Sequence, residues 1–198
     1  MIEFIKLNSE KPFQLFKSKY DEALKAGQKD IEAICISSYS NVTNEVNSRF
    51  VNLKQVIGKD FIFFSNYQSQ KANEFQNHNQ ISSVFFWNNI NLQIRFKAII
   101  TKTEKIFSDE YFAKRSTDKN ALAISSKQSK KIGSYKNIES NFEETKLTKD
   151  LKIRPDYWGG YSFSPTYMEF WEGHKHRINK RDVYELKNGK WSHFILQP

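Results

Sequence analysis

The segment "EVNSRFVNLKQVIGKDFIFFSN" (residues 45–66) decides the fold. In its first half Arg49, Val51 and Leu53 alternate with Phe50, Asn52 and Lys54, so successive side chains point to opposite faces of a strand. Gly58-Lys59-Asp60 then breaks the run, and Asp60–Asn66 is a second, more apolar strand, which together read as a hairpin. A strand with one wet face would keep its cations on that face. Here Arg49 and Lys54 fall on opposite faces, each beside apolar residues, and both need a partner.

Working outward, residues 12–26 place Phe13, Phe16, Tyr20 and Leu24 at helical spacing, with Pro12 suited to the first turn and Gly27 to the stop. Residues 31–38, 81–87 and 92–106 read as strands, the last two joined through "NNIN" as a hairpin. Ser69 is placed to cap a short helix over 70–78, and Ser108 to cap another over 109–115. Residues 134–149 form a further helix candidate. The C-terminal quarter returns to strands at 157–165, 166–173 and 182–196, the last with Asn188-Gly189 as a hairpin turn. Many antiparallel strands with a few short helices predict a mainly β fold, a barrel with peripheral helices. Residues 1–198 are expected to form one domain, with 1–11 as a flexible N-terminal arm.

Seventeen Phe among 198 residues give ample core material for such a domain. The lone Cys35 lies in an apolar run, so no internal disulfide can form and a reducing, cytoplasmic setting is expected. No window is long and apolar enough to span a bilayer, and the N-terminus has no signal-peptide pattern. The net charge is +9, of which residues 97–136, with ten Lys/Arg and four Asp/Glu, carry +6. No helix-turn-helix, zinc or RNA-recognition motif accompanies that charge, which argues against nucleic acid and leaves a solvated face or a phosphorylated small molecule.

Other chemistries lack their residues. His174 and His176 share a strand face but have no further ligands, so no metal site is expected. There is no Gly-x-Ser-x-Gly elbow and no glycine-rich phosphate loop. Any phosphate must therefore be gripped by side chains through charge-assisted hydrogen bonds. Candidates are Arg49 and Lys54, Ser65, Ser69 and Lys71 of "SNYQSQK", Gln128 and Ser129 of "SKQSKK", and Gln93.

Nine pieces in order now carry a resemblance: "RFVNLK" (49–54), "FFSN" with "SQK" (63–71), "LQIRFKA" (92–98), "YFAKR" (111–115), "SKQS" (126–129), "WGGY" (158–161), "EFWEG" (169–173), "HRINKR" (176–181) and the terminal "LQP". Together they resemble the pyridoxamine 5′-phosphate oxidase family, over nearly the whole chain. The resemblance implies an FMN-binding split β-barrel that works as a homodimer, with FMN between subunits. It implies that Arg49, Phe50, Val51, Asn52, Leu53 and Lys54 line FMN, that Arg49, Lys71, Gln128 and Ser129 face its phosphate, and that Phe64 and Ser65 pack along it. Gln70 belongs to the same phosphate turn, Gln93 would lie near the ring system, and Trp171 and Arg181 would complete the site. Substrate would be held by Lys54, Tyr111, Arg115, Lys119, Arg177 and Asn179, with Arg177 and Lys54 at the reacting centre. The implied reaction oxidises pyridoxamine or pyridoxine 5′-phosphate to pyridoxal 5′-phosphate, with O2 as acceptor and hydrogen peroxide released.

Five positions depart from the family pattern. Gln70 replaces Arg in Ser-Arg-Lys, Lys119 replaces a phosphate-binding Ser, Asn179 replaces His, and Phe64 replaces Tyr. Asn52 stands where an apolar residue is usual. Gln70-Lys71, "AISSKQS" and "LQP" resemble the phenazine-biosynthesis branch, whose members oxidise a dihydrophenazine carboxylate with FMN. That substrate class therefore stays open beside the vitamin B6 phosphates, as does a non-catalytic FMN or B6-phosphate binding protein.

Overall fold

The computed structural model describes residues Met1–Pro198. In chain order the strands are β1 (Glu3–Ile5), β2 (Ala33–Ser40), β3 (Glu45–Ile57), β4 (Asp60–Asn66), β5 (Gln80–Trp87), β6 (Leu92–Lys102), β7 (Trp158–Glu172), β8 (Lys180–Lys187) and β9 (Lys190–Ile195). The helices are α1 (Lys11–Lys25), α2 (Gln70–Asn77), α3 (Lys105–Lys114), α4 (Thr117–Ser125) and α5 (Tyr135–Thr148).

The β3–β4 hairpin forms over the expected residues, with Ile57 opposite Asp60. From it the sheet runs β3-β2-β5-β6-β7, and β4 pairs with both β3 and β7. That second pairing closes a six-stranded antiparallel barrel. β7 is shared between two neighbours. Trp158–Phe163 pairs with β4, and Tyr167–Glu172 pairs with β8, which carries β9 outside the ring. The barrel is split where β7 leaves one partner for the other. A bulge falls there, at Lys97/Ala98 opposite Tyr167/Pro165, and bulges are how a strand bends between neighbours. The sequence reading of two strands at 157–165 and 166–173 is thus corrected to one.

Aromatic rings fill the interior. Phe16 of α1 lies 5.1 to 5.9 Å, centroid to centroid, from Phe61, Phe85, Trp87 and Phe96. Edge and tilted contacts of this kind add to the burial term for each ring. Leu24, expected on the apolar stripe of α1, is exposed, and Ala23 is buried in its place.

Three further expectations change. The N-terminal arm is a strand: Glu3–Ile5 pairs parallel to Gln55–Ile57, and Phe4 packs on Tyr20. Ser108 is not a cap but lies buried within α3, whose N-cap is Glu104; the strand expected to run to 106 ends at Lys102. α4 had no counterpart in the sequence reading.

The Asn188-Gly189 turn behaves as expected, with φ of +51° and +75° joining β8 to β9. No atom lies within 4 Å of where a Gly189 Cβ would stand. Gly189→Ala should therefore cost only the left-handed backbone penalty, about 1 kcal/mol. Urea unfolding should show this as a lower midpoint with an unchanged slope.

Candidate active site

β4 delivers Ser65 and α2 delivers Lys71 to one point. Lys71 Nζ donates to Ser65 Oγ (3.0 Å), Ser69 Oγ (3.1 Å) and Gln128 Oε1 (3.3 Å). The side chain is 8% exposed and has no carboxylate partner. Burial, and then the nearby positive charge of Arg49, pull its pKa down to about 8 against the opposing pull of Glu74. A buried ammonium held only by neutral oxygens is a site that favours an anion. Ser69 stands at the N-cap of α2 as expected, but its hydroxyl donates to Asn66 O instead of capping the helix.

Arg49 lies one layer behind. Its guanidinium donates to Ser38 Oγ (2.5 Å) and pairs with Glu74 Oε2 at 2.9 Å, where Glu74 is 4% exposed. Asn47 and Gln70 also donate to Glu74, each at 3.0 Å. The Gln70 side chain thus serves the Arg49 partner and is absent from the cavity lining. The sequence reading missed Glu74. Its signal was a carboxylate one helical turn after Gln70-Lys71, on the buried side of α2.

In front of Lys71 opens a cavity of about 620 Å³. Phe50, Val51, Asn52 and Lys54 of β3 line one wall, and Phe64, Ser65 and Lys71 the floor. Tyr111, Lys114, Arg115, Ser116 and Lys119 line the far end, and Gln128 lies beside Lys71 and Ser65. Five of these residues are cations and none is an acid. Lys54 reaches the cavity on the same strand face as Phe50 and Asn52, and the β3–β4 register slips between Leu53 and Gln55, which makes Lys54 the extra residue of a bulge. It also touches Glu32 at 3.4 Å. Burial would raise the Glu32 carboxyl, but a backbone hydrogen bond, the terminal ammonium and Lys54 together hold it below its ordinary value. Leu53 is fully buried in the core, so only its backbone is available to a ligand.

Phe64 and Tyr111 stack at 3.6 Å with an interplanar angle of 8°. Burial raises the Tyr111 pKa, and Arg115 nearby counters it. Arg115 rests on the Trp158 ring at 4.4 Å and donates to Asn120 Oδ1 at 3.1 Å. Lys114, Ser116, Trp158 and Asn120 were not expected at this end.

The other expected residues lie elsewhere in the chain. Gln93, Trp171 and Arg181 stand in register across β6, β7 and β8 and are absent from the cavity lining. Exposed Phe86 continues their row on β5. Arg181 pairs with Glu169 at 2.8 Å; Glu169 also pairs with Arg95 and accepts from Tyr167. Burial, then the bond to Glu169, push the Tyr167 pKa up to about 12. Arg177 is exposed in the β7–β8 loop at φ +62°, and Asn179 accepts from His174 N at 3.0 Å in that same loop. Ser129, at φ +70°, faces a neighbouring hollow rather than the main cavity. One chain therefore assembles the Lys71 cluster and the basic cavity, but not the Gln93, Trp171, Arg181 and Arg177 group.

The split barrel sets a basic, acid-free cavity beside a buried lysine held only by neutral oxygens, an arrangement suited to a phosphorylated ligand. Two solved structures share the fold. PhzG from Burkholderia lata 383, in complex with tetrahydrophenazine-1-carboxylic acid, superposes with a TM-score of 0.89 at 24% identity, covering 95% of this chain and 93% of that one. A pyridoxamine 5′-phosphate oxidase-related, FMN-binding protein from Nostoc punctiforme gives 0.78 at 13% identity, covering 96% and 99%.

Sequence comparison is more specific. Residues 20–149 match the family model for pyridoxamine 5′-phosphate oxidase, and residues 158–198 that for the pyridoxine 5′-phosphate oxidase C-terminal dimerisation region. Curated pyridoxine/pyridoxamine 5′-phosphate oxidases are similar: that of Leptospira biflexa is 33% identical over 94% of this chain and 89% of the relative, and that of Cytophaga hutchinsonii 33% over 94% and 88%. The chain belongs to the pyridoxamine 5′-phosphate oxidase family. It is an FMN-dependent oxidoreductase, and the dimerisation region, which carries Trp171, Arg177 and Arg181, supports the expected homodimer. No helix is long and apolar enough to cross a membrane. The residues present fit FMN, because the Lys71 cluster offers a phosphate a buried cation, hydroxyls and an amide with no competing acid.

Proposed function

We propose that the protein oxidises pyridoxamine 5′-phosphate or pyridoxine 5′-phosphate to pyridoxal 5′-phosphate, acting as one domain over residues 1–198 within a cytoplasmic homodimer. The observation that carries this reading is a single cavity joining the Lys71–Ser65–Gln128 cluster to Lys54, Tyr111, Arg115 and Lys119. Two phosphorylated ligands, end to end, account for five cations without an acid. When bound, FMN supplies acceptance of a hydride from the substrate carbon and delivery of the electrons to O2, which leaves as hydrogen peroxide.

The side chains bind and orient. Lys71, Gln128 and, from behind, Arg49 hold the FMN phosphate, while Glu74 fixes the Arg49 guanidinium and Gln70 fixes Glu74; Ser129, which faces the neighbouring hollow, is not among them. Phe50 through Lys54 form the wall along the cofactor, Leu53 through its backbone, and Phe64 and Ser65 the floor. The partner subunit brings Gln93, Trp171 and Arg181 to the ring end. Lys54, Tyr111, Arg115 and Lys119 hold the substrate phosphate, and Arg177 with Asn179 closes over the reacting carbon.

The FMN-loaded protein, given either B6 phosphate under air, should generate pyridoxal 5′-phosphate absorbance and equimolar peroxide, the amine substrate also consuming one water and releasing one ammonia. Flavin reduction by a dihydrophenazine carboxylate, without turnover of B6 phosphates, would assign the site to that substrate instead. Bound FMN with no turnover on either would leave a binding protein.

A further inference from the structure

Arg115 is held in an unusual way for a half-buried cation. Its guanidinium lies over Trp158, and its one side-chain hydrogen-bond partner is the neutral Oδ1 of Asn120, at 3.1 Å. Asn120 is 1% exposed and has no freedom to turn. Its Nδ2 donates to Phe112 O (2.9 Å) and Leu151 O (2.8 Å). Backbone carbonyls only accept, so the amide nitrogen must face them and the amide oxygen must face Arg115. One buried side chain thus ties the end of α3, the start of α4 and the loop before β7 to a single guanidinium.

We infer that Asn120 is a positioning residue for substrate recognition, holding Arg115 with a neutral oxygen so that its whole charge is kept for the substrate phosphate. The inference rests on the proposed role of Arg115 as a phosphate ligand. A carboxylate at position 120 would spend the Arg115 charge internally, as Glu74 does with Arg49 and Glu169 with Arg181, and it could not donate to Phe112 O and Leu151 O. Trp158 contributes orientation in the same way, through a ring face that attracts a cation without neutralising it. Burial pulls the Arg115 pKa down, with Tyr111 opposing, as expected for a cation without a counter-ion.

The test is a double-mutant cycle on the FMN-loaded enzyme, with pyridoxamine 5′-phosphate as substrate and inorganic phosphate as competing probe. Asn120→Ala should raise KM about tenfold and weaken phosphate inhibition by a similar factor, the loss expected for a hydrogen bond that orients a charged group. FMN affinity should stay within about twofold, because the Lys71 cluster is separate. In an Arg115→Ala background the same change should add less than about twofold to KM. Asn120→Ser, whose hydroxyl can still donate to a backbone carbonyl but is too short to reach Arg115, should also raise KM, and it serves if the alanine variant does not fold. Effects of Asn120 and Arg115 that multiply, or equal losses of FMN and substrate affinity, would reduce Asn120 to a structural residue and overturn the inference. If Arg115→Ala itself leaves KM and phosphate inhibition unchanged, the phosphate reading of Arg115 fails, and the inference falls with it.

Discussion

Lys71→Met should yield a protein that is more stable without flavin and nearly unable to keep it. Lys71 is buried without a counter-ion, and its pKa falls from an ordinary 10.5 to about 8. Between those values the unfolded chain binds a proton that the native chain does not, so the Lys71 contribution makes stability rise with pH through that window. Below about pH 8 both states are protonated and the native state carries the whole penalty, roughly 3 kcal/mol from the size of the shift. Methionine removes the charge and keeps the length. The apo-protein should therefore unfold at a higher temperature at pH 7 than the wild type.

Flavin reverses the sign. A phosphate beside Lys71 turns the unpaired ammonium into half of a hydrogen-bonded charge pair, and removing one member of such a pair costs about 2–5 kcal/mol. FMN affinity should fall by about a hundredfold or more on that basis. In the wild type, affinity should also decline as pH rises above about 8, because the apo site must first regain a proton. The variant should lack that decline. Calorimetry of the apo-proteins and flavin-fluorescence titrations across pH 6–10 measure both effects. A Lys71→Met protein that stays yellow through dialysis would remove Lys71 from the phosphate site, and a lower apo melting temperature would refute the burial argument.

The sequence made some of this legible and hid the rest for physical reasons. Strands with clear alternation or apolar runs, β3 and β4 above all, were readable to the residue, because periodicity and turn chemistry are local. The closure of β4 on β7 was not, since it pairs residues about a hundred positions apart and no local pattern encodes a partner. Ser108 looked like a cap because Asp109 and Glu110 follow it. In the fold its hydroxyl instead accepts from Gly160 N and meets Thr103, a non-local use that outranks capping. α4 was hidden because "TDKNALAIS" is weakly amphipathic, and its one fully committed polar residue, Asn120, bonds to neighbours outside the helix. In the site, residue types and order were visible through the family resemblance. The bulge at Lys54, the carboxylate behind Arg49 and the clustering of five cations in one cavity needed the third dimension.

That clustering leaves Arg177 outside, and its place predicts how activity divides between subunits. Arg177 sits in the exposed β7–β8 loop, bonded through its own N–H to His174 O, within the region matched to dimerisation. Lys71 sits in the barrel, on the cavity. If the reacting centre combines the Lys71 half of one subunit with the Arg177 half of the other, Lys71→Met and Arg177→Ala should each be inactive as homodimers yet complement each other. In a mixed dimer, one site collects both defects and the other collects none. Random reassortment makes half the dimers mixed, each with one intact site of two, so about a quarter of wild-type activity should return after joint unfolding and refolding with FMN. If both residues served a site within one chain, every site in the mixture would hold one defect, and no activity would return. The two outcomes differ by a quarter of full turnover against background, so a single assay of the mixed sample, with each variant refolded alone as its control, decides whether the partner subunit completes the site.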